Sequence, residues 1–162
     1  IEKIEEKEYY EASSAQKRMY MLQQFDKDST AYNMPVAFQL EGKINKNKIE
    51  ETFRKITERH EGLRTYFETL DGEIIQKLQN DHEFKLVERK ENGYIDNIIN
   101  KFVRPFNLGK APLFRVELIE NKEKTYLLID MHHIISDGES MSILIKEFTE
   151  IYNGKNIEPL KL

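Results

Sequence analysis

MHHIISDGES, Met131 to Ser140, decides how this chain is read. Two adjacent histidines, His132 and His133, stand five and four residues before Asp137, and Gly138 follows at once. Upstream, Leu113–Glu120 and Thr125–His133 are apolar runs joined by the charged turn Asn121-Lys122-Glu123-Lys124, a pattern that predicts two strands of a hairpin. Downstream, Ser136 and Glu139 have the spacing of a capping box, and Met141, Leu144, Phe148 and Ile151 recur at helical intervals before the stop Asn153-Gly154. The histidines therefore fall where a strand ends and a helix is about to begin.

The rest of the chain alternates helix and strand signals. Ser13 to Gln16 reads as a capping box, and Ala15, Met19, Leu22 and Phe25 then form a helical stripe. Ala31–Leu40 reads as a strand. Asn45 caps a helix whose Ile49, Phe53, Ile56 and His60 share one face, with Gly62 as its stop. Leu63–Leu70 and Glu73–Leu78 flank Asp71-Gly72, the strongest hairpin signal in the chain. His82–Arg89 predicts a further strand, and Ile95, Ile98, Ile99, Phe102 and Val103 mark a helix closed by Pro105. Phe106–Pro112 reads as a loop. The fold class expected is α/β of the α+β type: a mixed, largely antiparallel sheet covered by helices, in one domain over residues 1–162.

Composition sets limits. A chain of 162 residues, 39% hydrophobic, can bury one core. Acids and bases interleave to a net charge of -4 and a pI of about 5.7, which argues against a nucleic-acid partner. The absence of cysteine excludes disulfides and thiolate chemistry and agrees with a cytoplasmic location. No stretch approaches the ~18 apolar residues of a membrane span, so no membrane partner is expected. Ile1 in place of methionine suggests a piece cut from a longer protein.

Successive side chains on a strand point to opposite faces, so His132 and His133 are expected to have different tasks. His133 shares parity with Leu127, Ile129 and Met131, an apolar row where a neutral imidazole, the form a general base needs, is favoured. His132 shares parity with Tyr126, Leu128 and Asp130 and is read as a support for the strand end. The same divergence argues against a metal, and spacing alone favours a structural task for any strand-end histidine. Asp137 serves as a first-turn acid or as the partner of an arginine; Gly138 permits a tight turn or the close approach of a substrate. The residues leave both pairs of readings open. Arg59 and Arg64, flanking Gly62, are the best-placed cations for Asp137, while His60 reads as a core histidine and His82 as a surface residue.

SSAQKRMYML (13–22), RHEGLRTYF (59–67), PFNLGKAPLFRVEL (105–118) and MHHIISDGES together resemble the condensation domains of nonribosomal peptide synthetases, in that family's order and over nearly the whole chain. The resemblance implies a chloramphenicol acetyltransferase-like fold and, here, the N-terminal lobe of two. The motif would then lie near the end of the sequence because it faces a C-terminal lobe. It also implies that His133 is catalytic, that His132 and Asp137 are structural, that Asp137 pairs with Arg59 or Arg64, and that Gly138 and Ser140 border the substrate channel. No cofactor or metal is expected to be bound intrinsically; phosphopantetheine arms of donor and acceptor peptidyl carrier proteins would deliver the substrates, alongside an adenylation domain. Glu11, Tyr20 and Glu139 depart from common family residues, and Glu139 leaves its neighbours' role in the channel open. The competing readings are a stand-alone trimeric acyltransferase using acyl-CoA, with the same HxxxDG logic, and a non-catalytic carrier-docking module.

Overall fold

The structure is a computed structural model, and it describes residues 7–81 and 83–154. In chain order the elements are β1 (Tyr10–Glu11), α1 (Ser14–Phe25), β2 (Asn33–Leu40), α2 (Lys46–Arg59), a 3-10 turn (Glu61–Arg64), β3 (Thr65–Leu70), β4 (Glu73–Leu78), β5 (Val87–Lys90), α3 (Ile95–Phe102), β6 (Phe114–Asn121), β7 (Lys124–His132) and α4 (Gly138–Tyr152). They build two sheets where one was expected. The larger has the order β2-β7-β6-β5, antiparallel except for the parallel β5–β6 pair, and the smaller is an antiparallel β1-β4-β3. A two-residue strand such as β1 has no periodicity to read, and the strand expected from His82 shortens to Val87–Lys90. His82 itself lies outside the described residues.

The larger sheet is apolar on both faces, which is why helices cover both. Register pairs Phe114 with Met131, Val116 with Ile129 and Leu118 with Leu127, so these six share a face. That face packs on Ile49, Phe53 and Ile56 of α2 and Met141 and Leu144 of α4. Phe53 lies at the centre, its ring 4.8 Å from Phe148, 5.4 Å from Phe84 and 6.4 Å from Phe114. Aromatic pairs at such separations add about 0.5–1.5 kcal/mol beyond area burial. The opposite face sets Ile119 and Leu128 against Ile98 and Phe102 of α3, as the predicted α3 stripe requires. Toward the α3 end this second face turns polar, and Arg104 and Arg89 both reach the buried carboxylate of Glu117.

Local signals placed most of these elements. Ser13 and Gln16 form a complete capping box on α1, and Asn45 Oδ1 accepts from Lys48 N at 3.0 Å to start α2. At the β3–β4 turn Asp71 and Gly72 both have positive φ, 50° and 83°, as a two-residue hairpin of this twist demands. Two expectations change. α2 stops at Arg59 with His60 as C-cap, and Gly62, whose φ is not positive, belongs to the 3-10 turn that follows. α1 buries Gln23 and leaves Ala15, Leu22 and Phe25 exposed, Phe25 at 84%. Its inward face is Gln16, Met19, Tyr20 and Gln23, a polar-edged stripe that hydrophobicity alone does not reveal.

Candidate active site at the end of strand β7

β7 keeps its ladder as far as the Asn33–His132 pair and then leaves the sheet. His133 N still donates to Tyr32 O at 2.8 Å, after which Ile135 N and Ser136 N donate back to His132 O and His133 O and close a tight turn. The alternation expected through His133 thus ends one residue early. His133 is exposed and does not join the buried Leu127, Ile129 and Met131 row; the sealed imidazole is that of His132, 0% exposed. This corrects the expectation of a His133 ring held in an apolar row. Burial, reinforced by neighbouring His133, pushes the His132 pKa down to about 4.

The turn fixes the chemistry of both rings. His133 Nδ1 is 2.6 Å from Ser136 O, and a carbonyl only accepts, so Nδ1 carries the hydrogen. Its Nε2 then holds the lone pair and has no protein partner among the described residues. His132 is the reverse: Ile134 N donates to its Nδ1 at 3.0 Å, so that nitrogen is the acceptor and the hydrogen sits on Nε2, 3.4 Å from Gln23 Oε1. The two neighbours hold opposite tautomers because one backbone turn offers a carbonyl to the first ring and an amide to the second.

Asp137 caps α4. Its Oδ1 accepts from Ser140 N at 2.8 Å and from Ser140 Oγ at 2.7 Å, and these two bonds hold its carboxyl below the usual range. The expected capping box of Ser136 and Glu139 does not form; Ser136 Oγ donates instead to His132 O at 3.1 Å. Nor does Asp137 meet either arginine. Arg59 Nε donates to Glu147 Oε1 at 3.2 Å, and Arg64 Nε to Thr57 O at 3.1 Å. Arg64 Nη1 lies 3.4 Å from both Gln79 O and Asn80 Oδ1. The helix N-terminus offers Asp137 amide donors at closer range than any guanidinium, and the buried Glu147 takes Arg59. Gly138 is the first residue of α4, and a Cβ placed on it would meet nothing within 4 Å.

A cleft of about 280 Å³ runs beside this turn, between the 3-10 turn and the start of α4, lined among others by Arg59, Gly62, Ile135, Ser136, Ser140 and Ile143. Glu147 lies where Arg59 and His60 converge, with its Oε2 2.6 Å from His60 Nε2. Sequence reasoning passed over Glu147 because it sits inside an apolar stripe; a lone carboxylate between Leu144 and Phe148 was the available signal. It also missed Arg115, which stacks 3.6 Å over the Phe106 ring and lies 3.9 Å from buried Asp130. Burial lowers Arg115 to about 10 and raises Asp130 against its bond from Asn33.

The fold is that of condensation domains. The chain superposes on the starter condensation domain of rhizomide synthetase RzmA with a TM-score of 0.78 at 21% identity, over 95% of this chain and 40% of that one. It superposes on the X-domain from teicoplanin biosynthesis with a TM-score of 0.87 at 22% identity, over 99% of this chain and 37% of that one. The family model for the condensation domain matches residues 6–162, and the chain belongs to that family. Over its whole length it is 46% identical to bacitracin synthase 2 of Bacillus licheniformis, 45% to tyrocidine synthase 3 of Brevibacillus parabrevis and 42% to gramicidin S synthase 2 of Brevibacillus brevis. It spans only 6%, 2% and 4% of those proteins respectively. No helix among the described residues is long and apolar enough to cross a membrane.

Proposed function

We propose that this chain is the N-terminal lobe of a condensation domain that forms amide bonds in nonribosomal peptide synthesis. The observation that carries the reading is the His133 ring: exposed, tethered through Nδ1–H to Ser136 O, and left with its Nε2 without a protein partner among the described residues. The α-amine of an acceptor aminoacyl thioester attacks the carbonyl of a donor acyl or peptidyl thioester. The C–N bond forms, the C–S bond breaks, the amine's proton passes to His133 Nε2, and the ring returns that proton to the donor carrier's thiolate as it leaves. No covalent intermediate on the chain is required. General-base assistance of this kind contributes about 10²–10⁴-fold, and the approach of two tethered substrates in one cleft supplies much of the rest.

His133 lies on the surface of this lobe, consistent with a site completed by a C-terminal lobe. Donor and acceptor carrier proteins with their phosphopantetheine arms, and an adenylation domain in the same synthetase, are the partners this reading requires. Gly138 and Ser140 would border the path to His133, and the open space at Gly138 supports that placement. In the two-lobed domain supplied with loaded donor and acceptor carriers, His133→Ala is expected to abolish dipeptide formation while leaving the fold intact. Undiminished dipeptide formation by this variant removes His133 from the mechanism.

A further inference from the structure

The inward face of α1 carries a buried polar residue that the reaction as described does not use. Gln23 is 3% exposed. Its Nε2 lies 3.4 Å from Asp26 O, 3.3 Å from Lys27 O and 3.2 Å from Ser29 O, three carbonyls of the segment that leaves α1. Three acceptors around one group leave no choice of amide orientation: the nitrogen faces them and the oxygen faces His132. That oxygen accepts, so His132 Nε2 must hold its hydrogen, which leaves Nδ1 free to receive the Ile134 amide at 3.0 Å. The segment that Gln23 gathers also leads to Tyr32, whose carbonyl receives His133 N at 2.8 Å and whose ring lies 6.1 Å from the His132 ring. Phe106 closes the other side, edge-on at 6.1 Å.

We propose that Gln23 is a positioning residue for the condensation reaction: by fixing the tautomer of His132 it sets the turn that presents His133 Nε2 to substrate. The link rests on the assignment of His133 made above. It acts at a distance, through one buried ring and one backbone amide, and Gln23 touches no reacting group. A flipped or absent Gln23 amide removes the constraint on His132 Nε2. The ring can then adopt the other tautomer, which sets an N–H against the Ile134 N–H and opens the turn. Small displacements of a positioned base are costly; about 1 Å is worth roughly 100-fold in rate.

The test uses the two-lobed domain with loaded carriers and compares Gln23→Met, His132→Asn and the double variant, each corrected for its folded fraction. Gln23→Met keeps side-chain length without the amide and is expected to lower kcat about 10–100-fold with KM for the acceptor carrier essentially unchanged. His132→Asn keeps an acceptor near the Ile134 amide and removes the ring that Gln23 acts through. In that background Gln23→Met should therefore have little further effect on kcat, the coupling expected of two contacting residues that act along one path; a purely structural role would leave kcat per folded molecule unchanged in both. An unchanged kcat in Gln23→Met, or an equal fall in both backgrounds, overturns the proposal. If Gln23→Met does not fold, ring ¹⁵N spectra of the unsubstituted domain decide: hydrogen on His132 Nε2 supports the link, and hydrogen on Nδ1 overturns it. His133→Ala in the same assay reports separately on the function reading, since retained activity there defeats that reading whatever the Gln23 variants do.

Discussion

His132 and His133 are neighbours in sequence and opposites in surroundings. One is sealed among Gln23, Tyr32 and Phe106 with both ring nitrogens facing partners; the other stands on the surface with one nitrogen bound and one without a partner among the described residues. The difference arises from a single event, the departure of the chain from β7 after His132. It teaches that a doubled residue can divide two surroundings across one turn, with one ring buried inside it and the other, to which the proposed function gives the chemistry, exposed outside.

That division can be broken from either side, with effects of different kinds. His133→Ala should cost the most in rate, about 10²–10⁴-fold or more, and nothing measurable in thermal unfolding. His132→Leu should do the reverse in kind: it orphans the buried Ile134 amide and the Gln23 carbonyl oxygen, for about 1–3 kcal/mol of stability by denaturant titration. Equal unfolding midpoints for these two variants would erase the contrast.

Acid probes the same asymmetry. His132 titrates at about 4 in the folded chain against about 6.5 in the unfolded one. Between those values the unfolded state binds the extra proton, so stability is constant with respect to this group above pH 6.5 and falls as pH drops toward 4. The loss is on the order of 1–3 kcal/mol, and His132→Asn should flatten that part of the pH profile. An unaltered acid limb in His132→Asn would show that the buried ring is not its source.

Asp137 and Gly138 sharpen the comparison with smaller effects. Asn caps a helix about as well as Asp, so Asp137→Asn should change stability by only a few tenths of a kcal/mol, whereas Asp137→Ala costs about 1 kcal/mol. A large loss in Asp137→Asn would revive an ion pair with Arg59 or Arg64 that the geometry does not contain. Gly138→Ala adds a methyl to open space at ordinary backbone angles and should not destabilise the fold, with a gain of up to about 0.4–1 kcal/mol from the restricted unfolded chain. A fall in condensation rate on that background would mark Gly138 as part of the substrate path.

Much of the architecture was legible in local chemistry. Capping at Ser13 and Asn45, the Asp71-Gly72 turn and the α3 stripe needed only nearest neighbours, and each falls where its spacing puts it. The motif also pointed to the turn on which the proposed function rests. What it did not give was orientation. Parity arguments hold only while a strand continues, and the end of β7 is set by the Asn33 and Tyr32 backbone, nearly a hundred residues away. The arginines likewise look free to meet Asp137 in one dimension; in three, Glu147 and the carbonyls of Thr57 and Gln79 reach them first. Gln23 escaped notice for the same reason, being a polar residue on a face whose burial depends on partners far along the chain.

The most direct measurement is a long-range ¹H–¹⁵N spectrum of the histidine rings near neutral pH, with His132→Asn and His133→Ala used for assignment. Opposite tautomers are expected for the adjacent residues, hydrogen on Nε2 in His132 and on Nδ1 in His133. A His133 ring carrying its hydrogen on Nε2 would leave no lone pair at that nitrogen to receive the substrate's proton, and would contradict the proposed role.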